Sequence, residues 1–514
     1  MHGRSVFHHC RGSLALALLV AVPPPAMAAN RDSRLADAVE RQDRQAIATL
    51  LKARPDVNAV NAPQADGATA LQWAAHWDDR DTVDALLRAG ANVNAANDHG
   101  VTPLALATEN RSSTIVEMLL NAGANPNSAV STGESVLMTA ARTGSVPIAQ
   151  ALMARGANVN AAESLHAQTA LMWATAQQHA DVVRLLIAGG ADVHARSRVR
   201  RRTVQVADRY GDQNSVRGVT EVDLGGFTPL LFAARVGDVE SAGHLLDAGA
   251  DVNDLAPYGA SVLVVAAHSG HSAVARQLLE RGADPNAAGA GYTALHVAVL
   301  RGDLQLVNAL LARGARADVP LAKGTPSRYY SKDYAFNENL VGATPFWLAA
   351  RFGEPEIMSA LAAAGANPRF AMKDGTTALI MAIIPSRGLG TFRAGDRRER
   401  YQGPADVAAK GQGEDEAITF ATAKRALELG ADVNAATQTG DTALHVASGL
   451  AANTVVQLLA EHGAMLDQKN TRGLTPLAVA TSQAPRSQVA VGYFSLPDDR
   501  TATAALLRKL GAKE

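Results

Sequence analysis

A segment of about 33 residues recurs along most of the chain, and this repeat constrains the fold more than any other feature of the sequence. Its first marker is a Thr or Ser followed by Pro, Ala or Val and then by Leu or Phe. This marker occurs eleven times, at Thr69, Thr102, Ser135, Thr169, Thr228, Ser261, Thr293, Thr344, Thr377, Thr442 and Thr475. A second marker is a glycine after a Leu-rich stretch, which alternates with the first and also occurs eleven times, at Gly90, Gly123, Gly156, Gly190, Gly249, Gly282, Gly314, Gly365, Gly430, Gly463 and Gly511. Because so short a unit cannot bury its apolar faces alone, the repeat predicts a stack of units rather than three separate domains.

The residues of one repeat indicate two helices joined by turns. In residues 102–104, Thr102 is a helix cap and Leu104 begins an apolar face, while Pro103 suits the first helical position because its missing N–H costs nothing there. Apolar residues at helical spacing predict a second helix over 114–122, and Gly123 supplies the left-handed conformation that ends it. Aromatic residues make up only 4% of the chain and hydrophobic residues 47%, so small apolar side chains favour closely packed helices.

These repeats resemble the ankyrin repeat. Residues 293–298 and 442–447 match the family's Thr-Pro-Leu-His-x-Ala turn with Ala in place of Pro, and residues 249–253 match a later part of the family pattern. The resemblance implies an all-α repeat solenoid of helix–turn–helix units with β-hairpin fingers, with about 11 full units plus an N-terminal cap unit. Most repeats lack the histidine of the turn and two have Ser for Thr, so some turn hydrogen bonds must differ from the family pattern.

Residues 30–514 are therefore expected to form a single, elongated ankyrin-repeat solenoid. The segment 32–64 has apolar residues at helical spacing but no Thr-Pro turn, so we interpret it as the cap. A terminal repeat needs a polar outer face because it has a neighbour on one side only. We expect four charged side chains of this segment to face outward: Asp37, Glu40, Arg41 and Asp43.

The N-terminus has the pattern of a secretory signal peptide over residues 1–28. Arg4 and Arg11 precede nine apolar residues at 14–22, three prolines and an Ala-x-Ala cleavage site at 26–28. Nine apolar residues are too few to cross a bilayer, and no later segment has 18 in succession, so we expect an exported protein, periplasmic or secreted, without a membrane span. The single cysteine, Cys10, would leave with the peptide, so the mature chain would have no disulfide and no thiol nucleophile.

Irregular spacing of the markers locates four insertions, near residues 196–225, 323–341, 385–416 and 484–499. The first contains two strand-like segments and predicts a β-hairpin, with a net charge of +4 over residues 196–222, and the second is rich in tyrosine. Both extend from finger turns, whereas the third and fourth separate the two helices of a repeat. Such insertions either carry a binding face or are tolerated surface loops. We favour binding for the first two insertions and surface loops for the last two.

The sequence contains none of the common nucleotide-binding, metalloprotease, hydrolase or calcium-loop motifs. His268 and His271 are three residues apart, but His271 matches the family's Gly-His position at the start of the second helix, which favours a structural role over a metal site. Paired acidic residues fall in turns or insertions, where they are expected to be solvated or to lie at helix starts. We therefore predict no enzyme activity, no cofactor and no metal, and the formal net charge of −1 indicates no nucleic-acid partner.

The resemblance also implies where a partner binds. Ankyrin-like arrays use residues just before the Thr marker, on the finger tips, and residues seven or eight positions after it, on the concave face of the first helices. Together with the aromatic cluster of the second insertion, these positions predict contacts at Phe227, Arg235, Tyr258, His268, Tyr292, Arg301, Tyr329, Tyr330, Tyr334, Arg351 and Phe352. The alternative for Phe227 and its neighbours is packing between fingers. His76 and Trp77 form a second candidate site in the first full repeat, whereas Trp73 and Trp173 fall at core positions.

The function favoured by these features is a non-catalytic, monomeric scaffold for protein–protein interaction that is exported from the cytoplasm and binds a protein through its concave face and finger insertions. The alternative is an enzyme-associated or carrier module that holds an anionic polymer or a small ligand on the Arg- and Tyr-rich insertions. A third hypothesis is a host-directed effector. Salt separates the first two, because binding of an anionic polymer weakens steeply as salt rises.

Overall fold

The computed structural model describes residues 32–53, 56–207, 216–325, 336, 338–384, 407–482, 486–489, 492–495 and 500–513. Two compact units divide the chain. The first contains the chain up to Val199 with Gly225–Ala233 and Glu240–Ala250, and the second contains Arg200–Leu224, Ala234–Val239 and the chain from Asp251 onward. Both units consist mainly of the short helix pairs that the repeat predicts.

The helix pairs of the first compact unit follow the repeat from its first copy. First helices pack against the first helices of the neighbouring repeats, and second helices pack against second helices. The helices up to the first insertion are α1 Arg34–Glu40, α2 Arg44–Lys52, α3 Val57–Val60, α4 Ala70–His76, α5 Arg80–Arg88, α6 Pro103–Glu109, α7 Ser113–Asn121, α8 Val136–Thr143, α9 Val146–Ala154, α10 Ala170–Ala176 and α11 Ala180–Ala188. The helix–turn–helix repeat is thus confirmed, and α1 and α2 form a pair although their segment lacks the Thr-Pro turn.

The turn chemistry of the α6–α7 repeat agrees with the sequence prediction. Oγ1 of Thr102 accepts a hydrogen bond from the N–H of Ala105 at 3.2 Å, and Pro103 is the first helical residue. Gly123 follows α7 with a φ of +89°. Because these conformations depend on neighbouring residues alone, the sequence places the ends of α7 to within one residue.

The fingers of successive repeats are joined by main-chain hydrogen bonds. The N–H of Asp98 donates to the carbonyl of Asp66 at 3.1 Å, and the N–H of Ser131 donates to the carbonyl of His99 at 2.9 Å. Each finger therefore satisfies part of the backbone of the next one, which holds the finger turns in register.

The loops after the second helices are joined by asparagine side chains. The side-chain amide of Asn94 donates to the carbonyl of Gly123 at 3.1 Å, and its oxygen accepts from the N–H of Asn125 at 2.7 Å. The same pair of bonds to the following repeat is made by Asn61, Asn127 and Asn160. We call this series the asparagine ladder.

The second compact unit continues the helix pairs, and one pair contributes residues to both units. Strands β1 Arg200–Ala207 and β2 Val216–Leu224 precede this shared pair, α12 Pro229–Val236 and α13 Val239–Asp247. The following helices are α14 Val262–Ser269, α15 Ser272–Glu280, α16 Ala294–Arg301, α17 Leu304–Ala312, α18 Pro345–Phe352, α19 Pro355–Ala363, α20 Ala378–Ile383, α21 Val407–Glu428, α22 Ala443–Gly449, α23 Asn453–Glu461 and α24 Pro476–Thr481. Strands β3 Arg486–Val489 and β4 Gly492–Ser495 precede the last helix, α25 Thr501–Leu510. No helix in the described ranges is long and apolar enough to cross a membrane.

The described parts of the four insertions are more regular than loops. β1 and β2 pair antiparallel, which confirms the hairpin predicted in the first insertion. The third and fourth insertions were expected to be loops, and this was wrong for parts of both. Residues 407–416 of the third extend helix α21, and in the fourth β3 pairs antiparallel with β4. Residues 326–335, 385–406, 483–485 and 496–499, with the predicted signal peptide, lie outside the described residues.

Gly249 ends α13 in the way that Gly123 ends α7, with a φ of +90°. We expect Gly249→Val to lower the free energy of unfolding by about 1–2 kcal/mol or more, because a β-branched residue is strongly disfavoured at positive φ. A Cβ built at Gly249 meets no atom within 4 Å, so the cost comes from the backbone alone. Chemical unfolding of Gly249→Val beside Gly249→Asn measures it. Asn tolerates this conformation, so equal losses in the two variants would contradict the assignment.

Candidate partner-binding surface

Several residues that the sequence assigned to a partner lie inside the repeat stack. Phe227 is only 8% exposed, and its ring packs at 5.8 Å between centroids against Phe232. Its N–H donates to Oγ of Ser197 at 3.0 Å. The packing alternative is therefore correct for Phe227, because its side chain completes the core beneath the finger.

Tyr292 is also a core residue in this structure. It is 1% exposed and lies 5.4 Å from Phe336 and 6.3 Å from His268 between ring centroids. His268 is itself buried, as is Phe352. The prediction that these aromatic side chains face a partner is contradicted by their burial, since Phe336 of the second insertion packs on Tyr292.

The predicted cations divide between the interior and the helix ends. Arg351 is 2% exposed, and burial lowers the pKa of its guanidinium to about 10, so it stays charged at neutral pH. Arg301 is half-buried, and its Nη1 donates to the carbonyl of His268 at 3.0 Å. Arg235 is half-buried too, and its carbonyl accepts from Nε2 of His271 at 3.1 Å. The Arg301 contact joins the ends of first helices in neighbouring repeats, and the Arg235 contact joins the end of a first helix to the start of the second helix in the next repeat.

Of the remaining residues predicted to contact a partner, Tyr258 is the one that lies within the described residues. Tyr258 is half-buried in its finger. Tyr329, Tyr330 and Tyr334 lie outside the described residues. At the base of the β1–β2 hairpin, Arg201 pairs with two carboxylates across the strands, 3.2 Å from Asp223 and 3.7 Å from Glu221. This pairing reduces the positive charge that the hairpin offers to an anion.

The second candidate site, at the end of α4, does expose aromatic surface. Trp77 is 43% exposed, and its ring stacks on that of Trp73 with centroids 6.4 Å apart and planes at 19°. His76 meets Trp77 edge to face at 4.7 Å. Burial lowers the pKa of His76 and so favours the neutral ring. We call Trp73, His76 and Trp77 the tryptophan patch.

Hydrogen bonds hold α4 at both ends and so fix the patch. At its start, the N–H of Thr69 donates to Oε1 of Gln72 at 2.6 Å, and Nε2 of Gln72 donates to the carbonyl of Val101 at 2.6 Å. At its end, the side-chain amide of Asn110 donates to the carbonyl of His76 at 2.6 Å. A rigid platform of this kind loses little conformational entropy when a partner binds.

A network that the sequence did not predict links the patch to the cap. The indole N–H of Trp73 donates to Oε1 of Gln64 at 2.7 Å. Nε2 of Gln64 donates to Asp37 at 2.8 Å and to Glu40 at 2.7 Å. Asp37 and Glu40 are therefore half-buried and turned toward the patch, which corrects the expectation that they face outward. Asp43 instead caps α2, accepting from the N–H of Ala46 at 3.0 Å.

A second polar cluster follows on the neighbouring first helices. Arg142 pairs closely with Glu109 and lies 3.6 Å from Glu134. Burial raises the pKa of Glu134, and the charge of Arg142 offsets part of that shift. The guanidinium of Arg142 also lies 5.9 Å from the centre of the Trp173 ring, which is half-buried where the sequence predicted a core position. Both charges of Arg142 and Glu109 are satisfied within the protein.

Within the described ranges, no group of three or more His, Cys, Asp or Glu side chains could hold a metal ion. What the surface offers is exposed indole, an imidazole and carboxylates, which are groups for binding another molecule.

The capped helix pairs, the finger bonds and the asparagine ladder define a helical repeat protein. The family model for ankyrin repeats (3 copies) matches residues 35–130, 127–197, 230–320 and 407–491, and the chain belongs to the ankyrin-repeat family. Repeats of this family generally mediate protein–protein interaction.

Similar proteins share the repeats over part of their length. The chain is 28% identical over 234 residues to Ankyrin repeat and SOCS box protein 16 of Homo sapiens, covering 42% of this chain and 46% of that protein. It is 38% identical over 100 residues to Ankyrin repeat and KH domain-containing protein 1 of Homo sapiens, covering 19% of this chain and 4% of that protein. The chain therefore spans less than half the length of these relatives. The crystal structure of the human ASB11 ankyrin repeat domain has 27% identity and a TM-score of 0.39, covering 49% of this chain and 99% of that one.

Proposed function

We propose that this protein is a non-catalytic scaffold that binds a protein partner, and that the partner docks on the tryptophan patch of the first compact unit. The observation that carries the proposal is the exposure of Trp77 on a stacked pair of indoles. Tryptophan is among the residue types that dominate binding energy at interfaces, which makes an exposed tryptophan a suitable anchor for a partner.

The proposal includes export to the periplasm or to the outside of the cell. Its support is the charged start, the apolar run and the cleavage site predicted in residues 1–28. The expectation that the concave face and the finger insertions contribute to binding stays a prediction, in which the half-buried Tyr258 is the finger residue to examine.

Site-specific crosslinking tests the docking site. A photoreactive amino acid in place of Trp77 should link the chain to one distinct protein in the native compartment, because this position lies at the centre of the proposed contact. The matched control is the same amino acid in place of Met465, an apolar residue that is also exposed but lies far from the patch in sequence. Mass spectrometry of the recovered chain also tests export, since the mature protein should begin at Ala29.

Two outcomes would count against the proposal. Crosslinks at position 465 but not at position 77 would place the site elsewhere, and the absence of any protein crosslink at position 77 would exclude docking on the patch. Recovery of the chain with residues 1–28 intact, from the cytoplasm alone, would remove export from the proposal.

A further inference from the structure

The charges around the tryptophan patch are strongly one-sided. Asp37 and Glu40 meet at the amide of Gln64, which also holds the indole of Trp73. Two bonds to a single amide group bring these carboxylates close together. In this arrangement Gln64 donates to both carboxylates, so neither is neutralised by a cation there.

The fingers beside the patch add negative charge and no positive charge. Trp73 and His76 line a small cavity together with Ala68 and Asn97, which places the two finger turns next to the patch. Residues 62–68 and 95–101 contain Asp66 and Asp98 but no Lys or Arg. We call the four carboxylates the acidic rim: Asp37, Glu40, Asp66 and Asp98.

Cations elsewhere on this face do not compensate the acidic rim. The loops between first and second helices, residues 41–44, 77–81 and 110–113, carry four arginines and four aspartates. Arg142 is paired with Glu109 and Glu134. Burial lowers the pKa of His76, which favours its uncharged form. The excess negative charge therefore belongs to the rim itself.

We infer that the patch recognises a basic segment of its partner, with an arginine or lysine side chain over the Trp77 ring and a second cationic side chain at the Asp37–Glu40 pair. This inference rests on the proposed docking site. A cation over an indole face is attracted by the ring electrons, and carboxylates strengthen the preference for positive charge. Trp77 stacks on Trp73, Trp73 bonds to Gln64, and Gln64 bonds to both carboxylates, so a continuous chain of contacts joins the indole to the Asp37–Glu40 pair.

Peptide binding to the full mature chain tests the inference. Hexa-arginine and hexa-glutamate peptides carrying a fluorophore are the probes, and anisotropy reports binding. Hexa-arginine should bind, hexa-glutamate should not, and binding should weaken as salt rises because salt screens the attraction between the peptide and the carboxylates. Trp77→Ala should weaken hexa-arginine binding at least tenfold, and the double variant Asp37→Asn/Glu40→Gln should do the same.

A matched control separates the site from the general charge of the chain. Glu117 and Asp181 are exposed on second helices, and Glu117→Gln/Asp181→Asn changes the net charge by the same amount as the rim variant. This control should bind hexa-arginine like the parent chain. Equal weakening by the control and rim variants, or equal binding of both peptides, would overturn the inference.

Two further measurements keep the result interpretable. Circular dichroism melting identifies a variant that has lost its fold, and Trp77→Phe, which keeps an aromatic face, should restore most of the binding lost in Trp77→Ala. If position 77 crosslinks a protein but hexa-arginine does not bind, the basic-segment inference fails and the proposed function stands. If position 77 crosslinks no protein and hexa-arginine does not bind, the basic-segment inference and the proposed docking site both fail.

Discussion

Replacing Trp347 with alanine should lower the free energy of unfolding by about 3–5 kcal/mol, the largest loss we expect from any single truncation in the described core. Trp347 is 1% exposed, and its indole N–H donates to the carbonyl of Thr376 in the next repeat at 3.0 Å. The truncation leaves a cavity between first helices α18 and α20 and also removes the only polar bond of the side chain to its neighbour. Urea unfolding followed by circular dichroism measures the loss.

Trp77→Ala is the matched control for this truncation. The same atoms are removed, but Trp77 is 43% exposed, whereas Trp347 is 1% exposed, so far less buried surface is lost. Its effect on stability should stay within about 0.5 kcal/mol, as for other surface substitutions. A loss as large as that of Trp347→Ala would show that Trp77 holds the fold together, and it would also weaken the proposed docking site.

Acidification should destabilise the second compact unit through His296. This side chain is fully buried, and burial lowers its pKa from 6.5 to about 4. Its Nδ1 accepts a hydrogen bond from the N–H of Thr293 at 3.2 Å, and this bond is lost when Nδ1 is protonated. Since the folded pKa lies below the unfolded one, the stabilisation is complete above pH 6.5 and is lost as pH falls toward 4. The loss between pH 7 and pH 5 should be about 2 kcal/mol.

The chain itself supplies the variant that isolates this contribution. In α4, Gln72 stands where His296 stands in α16, and its Oε1 accepts the same capping bond from Thr69. His296→Gln should therefore keep the cap and remove the titration. Urea unfolding of both chains at pH 7 and pH 5 measures the difference, since every other group titrates equally in the two. An identical fall in stability with pH in both chains would assign acid sensitivity to other residues.

The repeat itself was predictable because its signals are local. The caps at Thr102 and Ser135 and the left-handed glycines depend on residues within one turn, and the structure places helix ends where these residues stand. One repeat departs from the family sequence at the turn, because Gln72 stands where the family has histidine. Gln72 keeps the capping bond through its side-chain oxygen. A substitution that looked like a departure from the pattern therefore preserves the interaction.

The binding surface was less predictable because burial depends on residues far apart in sequence. Tyr292 is covered by Phe336, and no spacing within one repeat reveals that contact. Asp37 turns toward the patch because Gln64, 27 positions later, bonds to it. The family offset from the Thr marker did single out His76 and Trp77, of which Trp77 is exposed and His76 half-buried.

The asparagine ladder bears on how a chain of this kind can change its length. The side chain of Asn94 bonds only to main-chain groups of the following repeat, a carbonyl and an N–H that every residue type except proline supplies. A duplicated or deleted copy of about 33 residues would therefore meet its new neighbours with the same bonds already available. Gene duplication within such a coding sequence can add or remove whole repeats without a compensating substitution at the junction, while an insertion that breaks the period has to form its own structure, as the β1–β2 hairpin does.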